Sequence, residues 1–106
     1  MRILLDHGTP APLRRAFTDH SAATAYDKGW AGLTNGELLA AAEGIFDVLI
    51  TTDQNLRYQQ NLAGLQIAIL VLPTTSWPRL SPHAAAIAAA AVALRPGQLK
   101  EWSLPA

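Results

Sequence analysis

Phe46-Asp47-Val48-Leu49-Ile50-Thr51-Thr52-Asp53 is the stretch on which the fold turns. Residues 46–50 are dominated by large apolar side chains, two of them β-branched. They show no helical period and no clean alternation. That pattern suits a strand buried on both faces, as strands of parallel sheets are. Two threonines and an aspartate then end the run. The aspartate is therefore predicted at the carboxyl end of a central strand.

Working outward, Met1–Leu5 is a second apolar run, long enough for a buried strand and too short for a helix. It ends at Asp6. Thr9-Pro10 reads as a helix N-cap followed by proline at the first helical position, predicting a helix to about Phe17. Residues 22–25 read as a short strand, and 27–32 as a glycine-containing loop. Thr34-Asn35-Gly36-Glu37 is a capping box, with Leu38, Leu39 and Ala42 as the apolar face behind it and Gly44 as the stop. Beyond Asp53, residues 54–62 are predicted helical and 65–72 a strand stopped by Pro73. Residues 73–80, with Trp77, read as a loop. Ser81-Pro82 opens an alanine-rich helix to about Arg95, and 98–104 form a last strand. Strands alternating with helices predict an α/β fold: a three-layer α/β/α sandwich around a mostly parallel sheet of four to five strands, one domain over 1–106.

Eight basic and eight acidic residues cancel, so strong nonspecific attraction to nucleic acid or anionic membrane is not expected. The absence of cysteine excludes disulfides and thiolate metal sites. MRILLDHGTP lacks the long apolar segment of a signal peptide, and the alanine-rich stretch is too short to span a bilayer. These features predict a soluble, cytoplasmic protein.

Ligands of open parallel sheets bind outside the carboxyl ends of the strands. Asp6 and Asp53 are both predicted there, and they converge if their strands are neighbours. Glu37 lies on the first turn of a helix beside that edge. Converging carboxylates suit a hard cation such as Mg²⁺ or Mn²⁺. Each also has a plainer reading: Asp6 capping the Thr9 turn, Asp53 capping the next helix, Glu37 completing its capping box. In the polar segment 55–61, Arg57 is placed to hold a phosphate, and Tyr58 with amides such as Gln59 to touch bases. The alternative is a solvated helix face. Trp30 stacks a base or, more simply, fills core. His7 and His20 have no metal-ligand spacing, and His83 is expected to be exposed.

MRILLD, GWAGLTNGELLAAAE and FDVLITTDQNL, in this order and spacing, resemble the short PIN-like domains, a compact branch of the PIN ribonuclease superfamily often found beside antitoxin-like genes. The likeness covers about residues 1–72. It implies an acidic pocket that binds Mg²⁺ or Mn²⁺ and hydrolyses RNA, with Asp6 and Asp53 as matching aspartates. Two positions depart from it, since Asn35 and Asn55 stand where many relatives carry aspartate. Losing two charges weakens cation binding, and Glu37 is the available compensation. On this reading Asp6, Asp53 and Glu37 hold the cation, Asn35 and Asn55 orient water or phosphate, and Arg57 steadies the scissile phosphate.

Two other readings stand beside the ribonuclease. One is a catalytically weak PIN-like module that binds a small antitoxin protein or a second copy of itself. Exposed apolar content high for so few charges makes a homodimer reasonable. The other is a receiver-like phosphoacceptor domain with Asp53 as acceptor. Against it, His7 rather than a second carboxylate follows Asp6, and Lys100 is followed by Glu101 rather than proline.

Overall fold

The computed structural model describes residues 1–59 and 62–105, with the backbone alone at 57 and 59. Five strands form one sheet: β1 (Arg2–Leu5), β2 (Ser21–Thr24), β3 (Val48–Thr51), β4 (Ala68–Val71) and β5 (Leu99–Glu101). Their order is β2-β1-β3-β4-β5, and every neighbouring pair is parallel. β1 and β3 lie side by side, with Leu5 opposite Ile50. The order reverses between these two strands, which makes their carboxyl ends the switch point of the sheet.

The side chains of β1, β3 and β4 alternate between two cores, as the strand period of two requires. Ile3, Leu5, Val48, Ile50 and Leu70 face one core. It is closed by Leu13 and Phe17, by Leu80 of α3 (Trp77–Leu80), and by Ile87 and Ala91 of α4 (Ala84–Val92). Leu4, Leu49, Ile69 and Val71 face the other, closed by Leu38, Leu39 and Ala42 of α1 (Asn35–Ala42) and by Leu56 of α2 (Leu56–Gln59). The sheet therefore has helices on both faces. No helix among the described residues is long and apolar enough to cross a membrane.

The helix expected over 10–17 is a 3₁₀ helix, Ala11–Ala16. Thr9 does not cap it; the residue before the turn is Pro10, which makes no side-chain cap. The stretch 73–80, expected as a loop, contains α3. Ser76 caps it at Arg79 N–H, and Pro78 occupies the first turn, where a missing N–H costs nothing. A 3₁₀ turn, Ser81–His83, separates α3 from α4. The last strand is three residues rather than seven, and α2 is shorter than the predicted 54–62; residues 60 and 61 lie outside the described residues.

The capping box of α1 is present as read. Thr34 Oγ1 accepts from Glu37 N–H at 3.3 Å, and the Glu37 carboxylate accepts from Thr34 N–H at 2.9 Å. At the other end of α1, Glu43 reaches the entry of β4. Its two oxygens accept from Gln66 N–H at 2.8 Å and Ile67 N–H at 2.9 Å. On the same rim Asp47 accepts from Arg2 N–H at 2.8 Å. Gly97 turns the chain into β5 with φ +77°, and a Cβ there would lie 2.8 Å from the Leu65 carbonyl oxygen. Both its left-handed conformation and this backbone approach require glycine.

Candidate active site

Parallel pairing of β1 with β3 brings Asp6 and Asp53 to one edge, because each follows its strand by one or two residues. Asp6 is 4 % exposed. A buried carboxylate needs donors, and two threonines supply them. Thr9 Oγ1 lies 2.6 Å from Asp6 Oδ1 and 3.0 Å from the Ile50 carbonyl oxygen. Thr51 Oγ1 donates to Asp6 Oδ2 at 2.5 Å. The same Thr51 oxygen accepts from Asp53 N–H at 3.1 Å. Thr51 is thus the direct link between the two acidic residues.

Asp53 lies nearer the surface, half-buried. Its Oδ1 accepts from Asn55 N–H at 2.9 Å, the local turn that aspartate favours before a helix. Its Oδ2 accepts from the Asn35 side-chain amide. α1 therefore reaches the site through its first residue. Both readings of Asp53 hold together: it organises the turn into α2 and it faces the shared edge. Gly8 lets the loop after β1 lie against the loop after β3. A Cβ there would sit 2.7 Å from Thr52 Oγ1.

The other candidates divide. Glu37 is exposed and spends its carboxylate on Thr34 N–H; that hydrogen bond holds its carboxyl below the ordinary 4.5. The structure does not bring it to Asp6 and Asp53. Asn55 joins the site through its backbone, its side chain being exposed. Tyr58 is exposed, and the side chains of Arg57 and Gln59 lie outside the described residues. Trp30 packs edge-on against Phe46 at 6.1 Å between ring centroids and belongs to the core, the simpler of its two readings. His83 is only half-exposed and lies against the Trp102 ring, at 5.7 Å. His7 is exposed beside Asp6.

Sequence reasoning passed over Asp27. With Asp6, His7, Thr9, Arg14 and Tyr26 it lines a cavity of about 350 Å³ beside the switch point. Asp27 Oδ2 accepts from Thr24 N–H at 3.1 Å and pairs with Arg14 at 2.7 Å; Asp27 N–H in turn donates to Thr24 Oγ1 at 3.0 Å. The Thr24 hydrogen bonds, then Arg14, hold this carboxyl below the ordinary 3.8. Nothing in its loop marked it out, because its meaning depends on where β2 sits beside β1.

Among the described residues, no group of three or more histidine, cysteine, aspartate or glutamate side chains gathers as a metal centre would. Mg²⁺, however, commonly takes one or two carboxylates and completes its shell with water and substrate phosphate. Asp53 at the rim, backed by Asp6, offers that donor set, and the Asn35 side chain carries a carbonyl oxygen beside it. The residues fit such a cation.

Replacing Thr51 with valine keeps the shape and removes the hydroxyl. It leaves Asp6 Oδ2 without its donor and Asp53 N–H without its acceptor. The expected cost is about 1–3 kcal/mol, read as a lower urea midpoint with an unchanged slope. An unchanged midpoint would show that Thr51 does not hold the pair together.

Comparison of the chain with protein-family models, with curated proteins and with solved structures found no match.

Proposed function

We propose that this chain is a short PIN-like ribonuclease that uses Mg²⁺ or Mn²⁺, acts in the cytoplasm, and serves as the toxin of a toxin–antitoxin pair. The observation that carries the proposal is the linkage of Asp6 and Asp53 through Thr51 at the switch point of a parallel sheet. Asp53 and Asp6 would hold the cation. When bound, it offsets charge on the phosphodiester and makes water a stronger nucleophile at neutral pH. The chain's own residues fix the site in advance. Thr9 and Thr51 orient Asp6, while Asn35 and Asn55 N–H orient Asp53. Carboxylates already held in place need little reorganisation as charge develops. The local charge of a cation would also let a protein of zero net charge hold RNA.

The test is incubation of purified protein with a mixed-sequence RNA in Mn²⁺ or Mg²⁺ and, in parallel, in EDTA. Cleavage that requires the cation is the expected result. No cleavage at high protein concentration would end the proposal.

One observation favours a second reading, a binding module without catalysis. Glu37 is committed to its cap, so no third carboxylate joins Asp6 and Asp53 among the described residues. The partner would be a small antitoxin protein or a second copy of the chain. Co-purification with the product of a neighbouring gene, together with no divalent-cation binding, would support it. The receiver-like alternative gains nothing from the strand order, which doubly wound sheets of many functions share; labelling by a small phosphodonor would be its signature.

A further inference from the structure

The cavity beside Asp6 opens next to the carboxylate pair, on the β2 side of β1. Its volume of about 350 Å³ is at the small end of ligand sites, which run from roughly 300 Å³ upward. It is shallow in chemistry but specific in layout. Ala11 and Ala31 form small apolar walls. Tyr26 is 81 % exposed although it lines the cavity, so most of its ring area faces solvent. The Arg14–Asp27 pair lines it too. Asp27 is held by Thr24 at both its backbone N–H and its Oδ2, so its direction is set by the end of β2 rather than by Arg14 alone. Thr24 N–H and Arg14 both bond to Oδ2, so neither of these two partners takes up the carboxylate's second oxygen, Oδ1.

A flat ring to stack on, a carboxylate held in direction and a guanidinium, all lining the cavity that Asp6 also lines, match one kind of occupant. We infer that the cavity takes a single unpaired nucleoside of an RNA strand, its base stacked on Tyr26 and an N–H of the base edge donated to Asp27 Oδ1. Stacking on an aromatic ring is open to every base but needs the base out of a helix. The cavity thus selects single-stranded RNA. Arg14 lies beside Asp27, where it can face the phosphate that continues the strand. The inference rests on the ribonuclease proposal for the polymer to which the nucleoside belongs; the cavity's own chemistry does not require catalysis.

The test uses the intact chain, isotope-labelled, in EDTA, titrated with adenosine, guanosine, cytidine and uridine and followed by two-dimensional amide NMR. The expected result is saturable shifts confined to residues 6–14 and 24–31, the segments that line the cavity. Tyr26→Ala should weaken binding roughly ten-fold, and Tyr26→Phe, which keeps the ring, should retain it within about two-fold. Tyr26 is exposed, so neither change should affect folding, and the amide spectrum itself reports this. Shifts that are absent, that scatter over other surfaces, or that persist unchanged in Tyr26→Ala would overturn the inference. Cleavage and nucleoside binding are read separately. Binding at the cavity with no RNA cleavage removes the ribonuclease proposal and leaves the nucleoside site standing; cation-dependent cleavage with no response at the cavity does the reverse.

Discussion

Asp53→Ala protein is expected to lose cation-dependent RNA cleavage by about 10²-fold or more while remaining folded. Asp53 is the more accessible of the two linked carboxylates and the one that α1 reaches through Asn35. Without it, Asp6 alone is left, buried and with each oxygen already accepting a hydroxyl. A single removed group that stabilises transition-state charge typically costs on the order of 10²–10³ in rate. The cost to folding is smaller. The turn loses one acceptor for Asn55 N–H, and a lost cap of this kind is worth about 0.5–2 kcal/mol. Asp53→Asn sharpens the test, since it keeps the shape and one oxygen acceptor while removing the charge and one of the two acceptors used by Asn35 and Asn55 N–H. Initial rates on a labelled RNA, with thermal melts of each variant, decide the matter. If Asp53→Asn cleaves as well as the parent, the charge at this position has no part in the chemistry.

Leu70→Ala carries the largest expected effect on stability. Leu70 lies in β4, between β3 and β5, and is fully buried in the same core as Ile50, Leu80 and Ile87. A leucine truncated to alanine in a close-packed core costs about 2–5 kcal/mol, part lost transfer energy and part cavity. Domains of this size hold about 5–15 kcal/mol in all. The expected fall in melting temperature is roughly 10 °C or more. Leu70→Ile, nearly equal in volume, should cost less than about 1.5 kcal/mol. Urea unfolding of the two variants checks both values. A loss below about 1 kcal/mol for Leu70→Ala would mean that α4 can settle onto β4 and refill the space.

The features legible in the sequence were those fixed by short-range rules. Residues 46–50 read as a central strand because they are apolar on both faces, and β3, at Val48–Thr51, is buried on both. Thr34 and Glu37 read as a capping box because its chemistry is complete within four residues. Asp6 and Asp53 followed from strand ends alone. What escaped the reading depended on distance in the chain. Thr9 was assigned to a helix start, yet its hydroxyl points at Asp6 and Ile50 O, 41 residues away in the second case. Thr51 was read as a strand end, and its bridging of two aspartates needs β1 and β3 side by side. Asp27 acquires a place only when β2 lies on the outer side of β1. A proline misled as well: Pro78 sits in the first turn of a helix read as loop, a place where proline is tolerated.

The anchorage of Glu43 reaches further than the strand it touches. α1 is eight residues, a rod about 12 Å long. Its far end is clamped to the entry of β4 by two backbone N–H groups, and its near end delivers Asn35 to Asp53. A side-chain rotation can part Asn35 from Asp53 locally, whereas displacement of the whole helix is opposed at its far end by Glu43. A carboxylate on one rim thus tethers the helix whose first residue meets the acidic edge on the other.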